Sequence, residues 1–190
     1  DTPFVTASLY KLVLIADMYR RRERGRLSFD QTVELKVDYF YDWDPASEMY
    51  FDRSDIGSVW RIDDLLWIVG VYSSNIGARA LLSLTSASAL NQTAQKIGMT
   101  HTYLFVDLQD VPTWPPVLGP DVPRGDLALA ITYIEDAAQE GHVNLSTPRD
   151  MATYFTRLSN GKLVSRQASA EIMGILSNQA INDRIPVFLP

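Results

Sequence analysis

Apolar residues recur every three or four positions between residues 7 and 23, which predicts a helix with a wide buried face. Gly25 ends this pattern. A run of arginines comes just before it, near the helix C-terminus, where the helix dipole favours cations. Because Glu23 interrupts the run, we interpret it as the solvated end of the helix. The predicted buried face consists of Leu9, Leu12, Val13, Ile15, Ala16 and Tyr19.

Shorter apolar segments predict further helices, at residues 60–71, 76–84, 87–97, 127–140, 147–160 and 165–178. The helix at 60–71 is expected to end near Gly70. The clearest helix start is at Thr147, which can cap the helix, followed by Pro148 at the first helical position. The Asp150 carboxylate can reach back to the cap. Strands are few, with one short extended piece before residue 40 and a loop at 39–55.

A long irregular segment is predicted between residues 101 and 126, where five prolines break any regular element. A loop of this length inside a compact domain is usually functional, as an Ω-type loop or a lid. The chain then ends in an extended, Pro-bounded segment at residues 185–190.

Composition excludes several classes of function. With 190 residues, of which 46% are hydrophobic and 21% charged, the chain suits one domain or one large lobe of a domain. Its net charge of -6 argues against nucleic acid as a partner. It has no cysteine and two histidines, so thiol chemistry is excluded and neither a metal nor a cofactor is expected. No apolar run is long enough to span a bilayer, and no signal segment is visible.

Ser8 and Lys11 form the first candidate catalytic pair, because residues three apart share a face at the head of the apolar helix. A serine hydroxyl needs a neighbour to take its proton, and a lysine can do so if its pKa is lowered. The helix N-terminus also offers N–H groups to a developing oxyanion. The same spacing at Ser159 and Lys162 straddles a helix end, where Lys162 would be solvated. The alternative is that Ser8 only caps the helix and Lys11 is a surface lysine.

Ser73-Ser74-Asn75 forms the second candidate, in a connector between two predicted helices where side chains can project into a cleft. Ser73 could relay a proton, and Asn75 could hydrogen-bond an amide of a substrate. The alternative is a polar turn in which Ser74 or Asn75 caps the next helix.

In order and spacing, the two motifs resemble the signature of class A β-lactamases and penicillin-binding proteins, Ser-x-x-Lys, Ser-Asp-Asn and Lys-Thr-Gly. The resemblance covers nearly the whole chain. It implies an α+β fold of the β-lactamase/transpeptidase type, with residues 1–190 forming mainly the helical lobe of a single domain. Further similar segments are Gly25-Arg26-Leu27-Ser28-Phe29-Asp30, residues 90–99, Ser146-Thr147-Pro148-Arg149-Asp150-Met151-Ala152 and Asn182-Asp183-Arg184-Ile185-Pro186.

The resemblance implies a serine hydrolase that forms an acyl-enzyme through Ser8. Lys11 and Ser73 would then move protons, and Asn75 would bind the substrate amide. The implied substrates are β-lactams or the peptides of peptidoglycan, and the implied location is secreted, periplasmic or at the cell envelope.

Three departures from the family pattern bear on activity. Ser74 stands where the family has Asp in its second motif. No Glu-x-x-x-Asn is identified in the loop region, where the family has a glutamate that activates the deacylating water, and the nearest carboxylates are Asp107 and Asp110. No Lys-Thr-Gly occurs before Pro190, so we expect a missing segment or a second chain to complete the sheet.

These departures leave other interpretations open beside the enzyme. Slow deacylation is expected if the protein is active. A non-catalytic binding or scaffold module of the cell envelope is the main alternative. An unrelated helical interaction domain with coincidental motifs is a third possibility.

Overall fold

The computed structural model describes residues 2–41, 43–105 and 144–181, and its centre is one helix that is buried on all sides. This helix, α1 (Tyr10–Glu23), follows directly on a 3-10 turn formed by Ala7–Leu9. Every residue from Lys11 to Tyr19 is buried, including the two charged ones in that stretch, Lys11 and Asp17. The predicted helix is therefore confirmed, although its burial extends beyond one face.

Five further helices in the described part of the chain pack on or around α1. Helix α1 contacts α2, α3, α4 and α6, while α5 packs against α6. Helix α5 is also tied directly to α1, because the buried Tyr154 hydroxyl donates to the carbonyl oxygen of Leu12 at 3.0 Å. These helices are α2 (Ile62–Tyr72), α3 (Asn75–Leu82), α4 (Ala87–Lys96), α5 (Pro148–Ser159) and α6 (Arg166–Leu176).

Two small antiparallel sheets complete the described structure. Strand β2 (Thr32–Glu34) pairs with β3 (Val59–Arg61). Strand β1 (Phe4–Val5) pairs with β4 (Leu145–Ser146), and the amide of Thr6 donates to the carbonyl oxygen of Asn144 at 2.9 Å. The second pairing fixes the segment just before Ser8 against the segment that leads into α5.

The predicted helix at 60–71 is shifted along the chain at both ends. It begins at Ile62 because Val59–Arg61 pairs as a strand, and it passes through Gly70 to end at Tyr72. Gly70 serves close packing rather than termination. A Cβ atom added there would lie 2.2 Å from Cγ2 of Ile175, so α2 and α6 approach each other through this glycine.

The start of α5 is as predicted at its cap but differs in the role of Asp150. Thr147 accepts a hydrogen bond from the Asp150 amide at 3.2 Å, which makes it the cap. The buried Asp150 carboxylate does not reach back. It accepts from the His101 amide at 2.8 Å and from the Thr102 hydroxyl at 2.7 Å. It therefore fixes a segment distant in sequence.

The arginine run at the end of α1 is partly engaged rather than simply solvated. Arg21 pairs with the buried Asp17 at 2.6 Å, and Arg22 pairs with Glu171 of α6 at 2.6 Å. The hydrogen bond from Arg22 lowers the pKa of the Glu171 carboxyl. Only further along, at Arg24, is the side chain exposed as expected.

Several sequence-based predictions fall outside the described residues. They concern the proline-rich segment beyond residue 105, the helix at 127–140 and the C-terminal segment at 185–190. Within the described ranges, no helix has the length and apolar character needed to cross a membrane.

The close approach at Gly70 gives a stability prediction with a matched control. We expect Gly70→Ala to lower the free energy of unfolding by ~1–3 kcal/mol, because the new methyl group would overpack against Ile175. Gly174 also lies inside a helix, but a Cβ atom there would meet nothing within 4 Å. Gly174→Ala should therefore stabilise the protein, by up to ~1 kcal/mol from helix propensity. Urea unfolding of both variants checks this, and equal effects at the two glycines would contradict it.

Candidate active site

Ser8 lies in the 3-10 turn that leads into α1, whereas the sequence predicts it in the first turn of the helix itself. Its side chain is exposed, so the hydroxyl is accessible from solvent. The residue before it, Ala7, has φ 44°, in the left-handed region that residues other than glycine seldom adopt. Leu9 occupies the N-cap position of α1, and it makes no side-chain cap. The interpretation of Ser8 as a helix cap is therefore wrong.

Lys11 is the group around which the candidate residues gather. The residue is only 4% exposed, although lysine almost always keeps its ammonium in water. Its Nζ lies 3.3 Å from Ser8 Oγ and 3.2 Å from Ser73 Oγ. It also lies 2.5 Å from the carbonyl oxygen of Ser73 and 2.8 Å from Asn75 Oδ1. The expected convergence of the two motifs is thus observed, and Lys11 is not a surface lysine.

The four oxygens around Lys11 form two pairs that differ in whether they can donate a hydrogen bond. The Ser73 carbonyl and Asn75 Oδ1 can only accept hydrogen bonds, whereas the hydroxyls of Ser8 and Ser73 can also donate. A neutral amine has two N–H groups and one lone pair. If those N–H groups go to the two carbonyl-type oxygens, the lone pair faces the hydroxyls. The arrangement can therefore accept a proton from one serine and pass one to the other.

The connector between α2 and α3 has an unusual backbone conformation that brings Ser73 to Lys11. Ser73 has φ 57° and ends α2 in the left-handed conformation. Ser74 then caps α3, since its Oγ accepts from the Gly77 amide at 2.9 Å. The capping expected of Ser74 is confirmed, while Ser73 and Asn75 turn towards Lys11. Within the described residues, only Ala7 and Ser73 are non-glycine residues with positive φ, and such strain often marks functional sites.

Glu48 belongs to this site, although sequence reasoning placed it in a featureless loop. It is 6% exposed, and its Oε2 accepts from Ser74 Oγ at 3.0 Å. The same oxygen accepts from the amides of Asn75 at 2.9 Å and Ile76 at 3.2 Å. No local pattern could have revealed its link to the second motif, because its partners there lie 26 to 28 residues further along the chain.

A carboxylate for deacylation is not found among the described residues near Ser8. Asp107 and Asp110, the candidates from the sequence, lie outside the described ranges. A Glu-x-x-x-Asn spacing beyond the proline-rich loop, Glu140 to Asn144, was missed. Of that pair only Asn144 is described, and its Oδ1 accepts from the Phe105 amide at 2.8 Å.

Two other features of the sequence bear on the choice of site. The second Ser-x-x-Lys match does not form a site, because Ser159 donates to the Thr156 carbonyl at 3.1 Å and Lys162 is exposed. Across the described ranges, no three His, Cys, Asp or Glu side chains are grouped closely enough to hold a metal ion.

The family model described as "Beta-lactamase enzyme family" matches residues 1–190. The chain belongs to the β-lactamase enzyme family. None of the curated protein sequences compared with it matches.

Solved structures of β-lactamases and of PBP-A share the fold. A β-lactamase from Sphaerobacter thermophilus aligns at 20% identity with a TM-score of 0.70, covering 100% of this chain and 61% of that one. The chromosome-encoded β-lactamase of Vibrio parahaemolyticus aligns at 17% identity with a TM-score of 0.73, covering 100% and 62%. A PBP-A mutant solved as an acyl-enzyme complex with penicillin G aligns at 17% identity with a TM-score of 0.66, covering 96% and 57%.

These alignments confirm the predicted fold of the β-lactamase type, represented here mainly by its helical part. The chain spans between 57% and 62% of the length of those three solved structures.

The left-handed backbone of Ser73 leads to a prediction that separates strain from chemistry. Ser73→Gly and Ser73→Ala both remove the hydroxyl next to Lys11, but only glycine adopts positive φ without a steric cost. We expect the glycine variant to be the more stable of the two by about 1 kcal/mol. Thermal and urea unfolding of the pair measure this difference. A glycine variant no more stable than the alanine variant would show that the backbone at Ser73 is not strained.

Proposed function

We propose that the protein is a serine hydrolase of the β-lactamase and penicillin-binding type, in which Ser8 forms an acyl-enzyme. The observation that carries the proposal is the buried Lys11 amine within 3.3 Å of Ser8 Oγ and 3.2 Å of Ser73 Oγ. A lysine between two serine hydroxyls is suited to proton transfer, and an ordinary structural lysine would not need an accessible serine beside it.

In the first step, Ser8 Oγ attacks the carbonyl carbon of a cyclic amide or peptide bond. The hydroxyl proton passes to neutral Lys11 as the C–O bond forms, giving a tetrahedral oxyanion. Ser8 lies at the N-terminal end of α1, where the positive end of the helix dipole is suited to stabilise that charge.

In the second step, the C–N bond breaks and the leaving nitrogen needs a proton. Lys11 gives its proton to Ser73 Oγ while Ser73 passes its own hydroxyl proton to that nitrogen, so the proton count balances. Asn75 accepts from Lys11 through Oδ1, which directs its amide N–H donors towards an amide carbonyl of the substrate. The products are an ester on Ser8 and an amine, which leaves from a peptide substrate but stays attached to the acyl group of a cyclic amide.

The proposed substrates are β-lactams or the peptides of peptidoglycan, which share an amide carbonyl that a serine can attack. Membership of the β-lactamase enzyme family supports this class of substrate, as does the penicillin G acyl-enzyme of the PBP-A mutant. A site of action in the periplasm, at the cell envelope or outside the cell follows from the same substrates and is part of the proposal.

Release of the acyl group is proposed to be slow. Hydrolysis of the ester needs a water that a second base holds and deprotonates, and one lost general base costs ~10²–10⁴ in rate. The proline-rich loop at residues 101–126 contains aspartates but no glutamate for this purpose. Slow release therefore means that neither those aspartates nor Glu140, in the Glu140–Asn144 spacing beyond the loop, serves as this base.

Acylation is tested by mixing the intact protein with a fluorescent penicillin and analysing the product by mass spectrometry. We expect one adduct on Ser8 that is absent in Ser8→Ala, and acylation ~10²–10⁴ slower in Lys11→Ala because the proton acceptor is lost. Ser159→Ala, from the second Ser-x-x-Lys match, is the control and should label normally. Neither adduct nor hydrolysis with the wild-type protein would contradict the enzyme and favour a non-catalytic binding or scaffold module.

Deacylation is tested by following the lifetime of that adduct. We expect an adduct that outlasts the mixing experiment many times over, with weak release of hydrolysed penicillin. Rapid hydrolysis would contradict the proposal. The variants Asp107→Asn, Asp110→Asn and Glu140→Gln would then identify the carboxylate, because the adduct should accumulate only where the general base has been removed.

A further inference from the structure

Glu48 is a buried carboxylate between two segments of the chain that are distant in sequence. Its Oε2 accepts from Ser74 Oγ and from the amides of Asn75 and Ile76, at 3.0, 2.9 and 3.2 Å. Its Oε1 faces the amides of its own loop, at 3.4 Å from Tyr50 N and 3.5 Å from Phe51 N. Each oxygen therefore faces N–H or O–H donors on its own side.

The position of Glu48 at the start of α3 explains why a carboxylate suits it. The first amides of a helix have no partner within the helix, and the helix dipole favours negative charge there. Ser74 accepts from the Gly77 amide, and Glu48 accepts from the amides of Asn75 and Ile76. The three amides that open α3 are thus satisfied by these two side chains.

The same short turn carries the oxygens that hold Lys11. On one side, Ser73 O, Ser73 Oγ and Asn75 Oδ1 face the Lys11 amine. On the other side, the backbone and hydroxyl of residues 74–76 are bonded to Glu48. The turn contains the left-handed Ser73, a conformation that persists only when its surroundings hold it.

We infer that Glu48 is a positioning residue, which holds the Ser73–Asn75 turn so that Ser73 Oγ and Asn75 Oδ1 stay within reach of Lys11. The inference rests on the proposed function for its catalytic consequence. Glu48 also links the turn to its own loop, in which the exposed side chains of Met49 and Tyr50 follow it directly.

The test compares Glu48→Gln with Glu34→Gln in the intact protein. Glutamine keeps the shape of the side chain but replaces one acceptor oxygen with an NH₂ group, which would face N–H or O–H donors in either orientation. Glu34 is exposed on β2 and serves as the matched control for loss of one negative charge. Glu48→Asp retains the charge and both acceptor oxygens, so it should keep more of the acylation rate than Glu48→Gln.

Two readouts separate this inference from the proposed function. Amide hydrogen exchange can be measured without enzymatic activity. We expect the Asn75 and Ile76 amides to exchange faster in Glu48→Gln than in the wild type, and at the wild-type rate in Glu34→Gln. With penicillin, we expect the rate at saturation to fall by about 10²-fold, as for a misplaced catalytic group. The half-saturating concentration should change much less, and thermal unfolding confirms that each variant is folded.

A double variant excludes a general loss of stability. If Glu48 acts by placing Ser73, Glu48→Gln should lower the acylation rate by a much smaller factor in a Ser73→Ala background than in the wild type. The inference is overturned if Glu48→Gln lowers the acylation rate by the same factor in both backgrounds. It is also overturned if amide exchange at residues 75 and 76 is unchanged, or if that exchange is faster while the acylation rate is unchanged. If the wild-type protein is not acylated, the proposed function fails. The exchange result alone then decides whether Glu48 holds the turn.

Discussion

The site depends on a lysine amine that is taken out of water and surrounded by oxygen atoms. Removing the amine of a lysine from water is costly unless protein hydrogen-bond partners replace the lost hydration. For Lys11 such partners come from the turn between α2 and α3, in particular the Ser73 carbonyl and Asn75 Oδ1. The turn can lie there only because α2 and α3 both pack against α1. The same helix packing thus builds the hydrophobic core and the candidate site.

The backbone on both sides of Lys11 is held in conformations that need outside support. Ala7 comes just before the nucleophile candidate, and Ser73 comes just before the cap of α3; both have positive φ. The pairing of β1 with β4 supports the first, and the bonds of Glu48 to residues 74–76 support the second. Each strained residue therefore lies next to a contact between segments far apart in sequence, which is why substitutions outside the site can be expected to change its geometry.

The features that were predicted correctly from the sequence depend on only a few neighbouring residues. The buried pattern of α1, the cap at Thr147 and the three-residue spacing of Ser8 and Lys11 are local, and the structure agrees with each of them. The errors concern residues whose partners are distant. Gly70 was expected to end a helix but packs against Ile175, and Asp150 was expected to cap its own helix but bonds to residues 101 and 102. Glu48 was missed for the same reason, since nothing within its own loop distinguishes it.

The contacts of Lys11 bear differently on the two halves of the proposed acyl-transfer reaction, which are formation and hydrolysis of the acyl-enzyme. The amine faces the hydroxyls of Ser8 and Ser73 at nearly equal distance, and in the proposed acylation a proton taken from Ser8 is returned through Ser73. After acylation, Ser8 Oγ is an ester oxygen and has no proton to give. Hydrolysis would then require a base that deprotonates the attacking water molecule. In the proposed mechanism, formation of the acyl-enzyme thus uses residues gathered on one buried amine, whereas its fast breakdown would require a further base.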